Sequence, residues 1–149
     1  MIYLVDTNVL LRIANSNDVR FQIAQDAVYK LRVEGHQLQT TPQNFIEFWN
    51  VSTRPIDKDG FGHKPSETNQ ILQHLEQIFP LLSDAPNIYS EWKQLVVSYN
   101  VSGVQVFDAR LVAAMISHNV QHILTFNTSD FTRYVPEGIV AVDPETVSR

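Results

Sequence analysis

A chain of 149 residues with 44% hydrophobic and 18% charged residues has the composition of a globular protein, long enough for a real core, and one domain over residues 1–149 is expected. The absence of cysteine excludes a disulfide framework, a thiol nucleophile and a thiolate metal site. A formal charge of −5 excludes a bulk electrostatic grip on nucleic acid and leaves only a local one, with basic groups gathered around one cleft.

Ile2 to Val5 is an apolar run without alternation that stops at Asp6-Thr7-Asn8, which predicts a strand buried on both faces of a parallel sheet. It is far too short for a signal peptide. No apolar run approaches the roughly 20 residues that cross a bilayer, so a cytoplasmic protein without membrane contact is expected. A short helix follows from Thr7 to Ala14, and Asn15-Ser16-Asn17-Asp18 reads as a turn. Phe21, Ala24, Val28 and Leu31 recur at helical spacing up to Glu34, before the helix stop Gly35. His36 to Thr40 reads as a second strand, and Thr41-Pro42 as a helix cap with proline in the first turn. This helix carries Phe45, Ile46, Glu47, Phe48, Trp49 and Val51 and must end before Pro55.

Arg54 to Pro65 is a loop by composition, rich in proline, glycine and charge, including Arg54, Lys58, His63 and Lys64. Its length fits a functional segment or a tolerated insertion equally well. Ser66 then caps a helix with an apolar stripe from Ile71 to Phe79, and Leu81-Leu82 makes a very short third strand. Asp84 and Pro86 restart a helix in which Ile88, Tyr89, Trp92, Leu95, Val96 and Tyr99 face inward. After a linker turning on Gly103, Val106 opens a helix. Val120 to Phe126 and Gly138 to Val142 are the last strands, and Asp143-Pro144 closes the fold. Strands alternating with helices predict an α/β sandwich around a mainly parallel sheet of about five strands.

Four acids stand out. Asp6 lies where a strand would deliver it to the carboxyl rim of the sheet, as a ligand or as a cap for the following helix. Glu47 sits among large apolar residues, at the edge of the buried face or projecting to solvent between two ridges. Asp108 is aligned with Leu111, Val112, Met115 and Ile116 at i+3, i+4, i+7 and i+8, on the core side of its helix rather than the exposed side usual for a dipole-stabilising acid. Asp130 follows the strand ending in Thr125, Phe126 and Asn127, and either joins the same rim or caps a turn. If the four converge they need counter-charge, and an oxygen-only set favours Mg²⁺ or Mn²⁺, ions suited to phosphodiester hydrolysis. No glycine-rich phosphate loop and no G-x-S-x-G elbow occurs. The five histidines lack metal-ligand spacing, and no second Asp follows Asp6 at i+2 as a phosphatase of related fold would require.

Val5-Asp6-Thr7-Asn8, Glu47, Asp108-Ala109-Arg110-Leu111, and Thr125-Phe126-Asn127 with Asp130-Phe131, in this order and spacing, resemble the PIN-domain ribonucleases, and more narrowly the VapC-like toxins of prokaryotic toxin–antitoxin pairs. The resemblance implies a PIN-like three-layer sandwich and a Mg²⁺- or Mn²⁺-dependent endoribonuclease acting through metal-activated water. It places Asp6, Glu47, Asp108 and Asp130 as catalytic and metal-holding residues, with Thr7, Asn8 and Asn127 in support. RNA as substrate, a protein antitoxin and a homodimer are the implied partners. Arg12, Arg54, Lys58, Arg110 and Arg133 are candidates for phosphate contact. The alternative is a PIN-like module that binds RNA or protein without hydrolysis; its expected trace, a missing acid, is absent.

Overall fold

The structure, a computed structural model describing residues 1–149, is organised by its first strand. β1 (Ile2–Val5) occupies the interior of a four-stranded, all-parallel sheet of order β2-β1-β3-β4, with β2 (Gln37–Gln39), β3 (His122–Leu124) and β4 (Val140–Val142). Tyr3 pairs with Leu38 on one side and with His122 on the other. Because side chains alternate along a strand, Leu4 enters the core on one face while Tyr3 and Val5 enter the core on the other. Both faces are buried, as the unbroken apolar run requires.

One layer consists of α1 (Thr7–Ile13), α2 (Phe21–Val33), α3 (Pro42–Thr53) and α4 (Pro65–Ile78). It closes over Val9, Leu10, Ala24, Leu31, Phe48 and Phe79. The opposite layer, α5 (Ile88–Ser98) and α6 (Gln105–Ser117), packs Ile88, Leu95, Leu111, Val112 and Met115 against Leu4 and Ile123. The three-layer α/β architecture therefore follows the sequence reading.

Several details depart from it. The sheet has four strands and not five: Leu81 contributes a single parallel bridge to Thr40, because Pro80 and the exposed Leu81 leave no run long enough to form a strand. Lys64, not Ser66, caps α4, with Pro65 in the first turn and the Glu67 carboxylate accepting from the Lys64 amide at 3.0 Å. Asp84 and Pro86 precede α5 without entering it, and Tyr89 is exposed. The segment after β3 is a 3₁₀ succession (Thr128–Glu137) that buries Phe131 and Tyr134, where a short turn was expected. Asp143-Pro144 opens a further helix, α7 (Pro144–Ser148), capped by the Asp143 carboxylate.

The loop after α3 is folded upon itself. Phe61, Gly62 and His63 donate backbone N–H groups to Val51, Arg54 and Ser52. A Cβ on Gly60 would stand 2.0 Å from the Arg54 carbonyl oxygen. Gly60→Ala is accordingly expected to lower stability by about 1–3 kcal/mol, read as a lower melting temperature; an unchanged melting curve would show that the loop gives way freely.

Candidate active site: four acids on the carboxyl rim

The order β2-β1-β3-β4 sends the chain in opposite directions on the two sides of β1, so the switch point lies at the carboxyl ends of β1 and β3. Asp6 leaves β1 there. Its side chain is almost wholly buried, at 7% exposure, and both oxygens are engaged. Oδ1 accepts from the Thr7 amide (2.8 Å), which makes Asp6 the N-cap of α1 as well as a rim residue. Oδ2 accepts from Thr125 Oγ1 (2.9 Å) and Asn8 Nδ2 (3.3 Å). Asn8 also donates to Thr125 Oγ1 and accepts from the Phe126 amide at 3.1 Å, so it ties β1 to the end of β3. The ligand and cap readings of Asp6 are compatible, since the cap uses one oxygen edge and leaves the carboxylate on the cleft.

Glu47 reaches the same place from α3. Thr41 caps this helix in a reciprocal box with Asn44: the Thr41 amide donates to Asn44 Oδ1 (3.0 Å) and the Asn44 amide donates to Thr41 Oγ1 (3.3 Å). The free end of Asn44, Nδ2, donates to Thr7 Oγ1 at 3.1 Å, and Thr7 Oγ1 donates on to Glu47 Oε1 at 3.0 Å. One relay thus runs from the helix cap to the carboxylate. Gln43 donates to the Phe107 carbonyl (2.7 Å) and accepts from Arg110 Nη1 (3.1 Å), locking the start of α3 to the start of α6.

Asp108, half-buried in the first turn of α6, and Asp130, exposed in the 3₁₀ segment, complete the lining. The resulting cleft of about 310 Å³ is walled by Asp6, Thr7, Asn8, Glu47, Asp108 and Asp130, with Asn50 and Asn127 alongside. All four acids singled out in the sequence therefore meet in one depression. In this conformation no three acid or histidine side chains stand close enough together to hold one ion.

The electrostatics reflect that crowding. Burial, then repulsion from Asp6, Asp130 and Glu47, pushes the Asp108 carboxyl up to about 7. Asp6 is raised by burial and by Asp130, against the opposing pull of its Thr125 and Thr7 hydrogen bonds. Glu47 is raised by burial and then by Asp6, with Thr7, Gln43 and Arg110 pulling the other way. Like charges gathered in a partly desolvated cleft resist ionisation.

Of the basic candidates, Arg110 and Arg133 lie near enough to act on Glu47 and Asp108 respectively. Arg110 is engaged by Gln43 and stands 3.5 Å from Asp84; Arg133 donates to Gln105 at 2.7 Å. Arg12 lies one turn beyond Asn8 and donates to its carbonyl. Arg54 and Lys58 belong to the loop after α3 and touch none of the acids. Sequence reasoning missed Asn44, Gln43, Asn50 and the anchoring role of Thr125. Gln43, Glu47 and Asn50 form a polar stripe at i, i+4 and i+7, with Asn44 three residues before Glu47, a spacing that marks one shared face.

Solved structures of the same fold align with nearly the whole chain. VapBC2 from Rickettsia felis, bound to a promoter DNA fragment, superposes with a TM-score of 0.70 at 14% identity, over 96% of this chain and 98% of that one. VapC20 from Mycobacterium tuberculosis, described as a sarcin-ricin loop cleaving toxin, gives 0.67 at 17% identity over 95% and 98%. A toxin–antitoxin complex from Klebsiella pneumoniae gives 0.65 at 20% over 95% and 97%. No curated protein is a significant match. Residues 3–135 match the PIN domain, a span that contains all four acids and every strand but the last: the chain belongs to the PIN domain family.

Proposed function

We propose that the protein is a Mg²⁺- or Mn²⁺-dependent endoribonuclease, with Asp6, Glu47, Asp108 and Asp130 as its catalytic and metal-holding acids, and that it is the toxin of a type II toxin–antitoxin pair. The observation that carries the reading is the arrival of these acids, from β1, α3, α6 and the 3₁₀ segment, in a single cleft. The donor set fits the ion: the polar groups on the wall are carboxylates, amides and a hydroxyl, with no thiol and no imidazole, a set suited to a hard cation. Three of the acids are held above their ordinary range of ionisation, as expected of a site built to receive positive charge.

Bound there, such an ion would supply Lewis acidity and make a water acidic enough to attack a phosphodiester. The chain's own residues do the rest. Thr125, Asn8 and the Thr7 amide fix the Asp6 carboxylate, and the Asn44–Thr7 relay aims Glu47. The Asp108 carboxyl, near 7 when no ion is held, can carry a proton on Oδ at neutral pH and release it when a cation arrives. Arg110 and Arg133 place positive charge at the cleft, where phosphate oxygens would approach. The VapBC and toxin–antitoxin relatives support a protein antitoxin as partner and a paired toxin, and a homodimer goes with that reading. No helix is long and apolar enough to cross a membrane; a toxin acting on RNA would work in the cytoplasm.

The test is direct. Purified protein with millimolar Mn²⁺ or Mg²⁺ should cut single-stranded or structured RNA, and a chelator should stop it. RNA left intact at every metal tried, or cutting that survives chelation, would overturn the proposal.

A further inference from the structure

A second polar feature begins where the acid cleft ends. Phe126, two residues past β3, carries two guanidinium groups against its ring: Arg12 lies 5.7 Å and Arg20 5.0 Å from the ring centroid, both within the range of cation–π attraction. The Phe126 backbone and the Arg12 guanidinium are each tied to Asn8, a wall residue of the cleft: the Phe126 amide donates to Asn8 Oδ1 at 3.1 Å, and Arg12 Nη1 donates to the Asn8 carbonyl at 3.3 Å. Two cations on one neutral ring repel each other, and the counter-charge present is meagre. No carboxylate is paired with the Arg20 guanidinium, and the sole one paired with Arg12 is Asp18. One of its oxygens is taken by the Arg20 amide (2.8 Å), and the other stands 4.0 Å from Arg12 Nε. Arg12 Nε is buried without a hydrogen-bond partner. The Arg20 guanidinium, on an exposed residue, makes no hydrogen bond or ion pair beyond the ring contact.

We propose that Arg12 and Arg20, gathered on Phe126 beside Asn8, form a phosphate-binding subsite that holds the RNA strand next to the acid cleft. The inference rests on the ribonuclease reading for its ligand. Guanidinium forks match phosphate oxygens in shape and charge, and the phenyl ring fixes both forks without neutralising them. Continuity through Asn8 puts the pair on the path of a strand whose neighbouring phosphodiester lies among the acids. The subsite also resolves how a chain of net charge −5 holds a polyanion: two of its eleven basic residues are concentrated at the rim where the substrate passes.

The test is oligonucleotide binding in an Asp108→Asn background, so that the strand is held and not consumed. The probe is a short single-stranded oligoribonucleotide of mixed sequence, its affinity followed by fluorescence anisotropy across salt concentrations. Arg20→Ala should weaken binding uniformly across sequences and lower the slope of log affinity against log salt by about 0.7, one phosphate contact. Equivalently, affinity should fall about 2.5-fold less between 50 mM and 200 mM salt. Arg20→Lys should keep the slope, and the charge-matched control Lys93→Ala, on the exposed face of α5, should leave it unchanged. An Arg20→Ala slope equal to the parent's overturns the subsite, even where that variant loses binding to a polyglutamate peptide. If wild-type protein fails to cut RNA while Arg20→Ala still lowers the slope, the nuclease reading falls and the subsite stands. Wild-type cutting with an unaltered slope gives the reverse, and no oligonucleotide binding at all overturns the subsite, the nuclease reading being judged by cleavage.

Discussion

Asp6→Asn and Asp108→Asn are each expected to reduce RNA cleavage by more than about 100-fold, beyond the 10–100-fold typical of losing a supporting partner. The amide is the informative replacement because it keeps shape. Asn at position 6 keeps an oxygen that can accept from the Thr7 amide, the contact that caps α1, and turns its NH2 group toward Thr125 Oγ1, which can accept from it, so the fold should survive while the negative charge is lost. Alanine would leave those buried donors without acceptors, at about 1–3 kcal/mol, and would confound activity with stability. Thr7→Val should fall in the milder range, since it removes the hydroxyl between Asn44 and Glu47 and no acid. Single-turnover cleavage rates beside thermal melts separate the two effects. Wild-type rates in either Asn variant would locate the chemistry elsewhere.

The second large effect is on stability. With Asp108 raised from 3.8 to about 7 in the folded protein, an interval opens in which the unfolded chain has shed a proton that the folded chain retains. Across that interval the folded state binds more protons, so raising the pH lowers stability. Asp6 and Glu47, raised in the same direction, add to the slope with the same sign. Metal-free protein should therefore melt at progressively lower temperature as the pH climbs from about 4 to about 7. Asp108→Asn should flatten part of that decline and gain about 1–2 kcal/mol at neutral pH, after solvent screening of a half-buried group. For a chain of this size that is roughly 2–8 °C. Millimolar Mn²⁺ should restore wild-type protein at neutral pH, by about 2.7 kcal/mol at a hundredfold excess over its dissociation constant. Parallel melting profiles for wild type and Asp108→Asn would refute the crowding of charge in the cleft.

How much of this was legible depended on how locally each feature is encoded. β1 was readable because an unbroken apolar run ending in Asp-Thr-Asn has few other solutions, and the structure buries Leu4 and Val5 completely on opposite faces. Asp108 was readable because helical spacing carried it onto the core side of α6. Glu47 was not settled by its neighbours: Ile46 beside it is 70% exposed, and what turns the glutamate into the cleft is Thr7, forty residues earlier. The same holds for Arg20, whose meeting with Phe126 depends on the way α2 is set against the end of β3. The Leu81 bridge and the exposed Tyr89 show the opposite failure, in which plausible local hydrophobicity was not taken up by the core. Tertiary placement decided these cases, and no local pattern announces it.

The position of β1 between β2 and β3 has a temporal consequence. Asp6 precedes its Thr125 anchor and its neighbours Asp108 and Asp130 by more than a hundred residues of chain. A growing polypeptide on the ribosome can form α1 to α4 and pair β1 with β2, but it cannot assemble the cleft until β3 has been inserted beside β1. A site wired in this way cannot form on a nascent chain before β3 has emerged and paired.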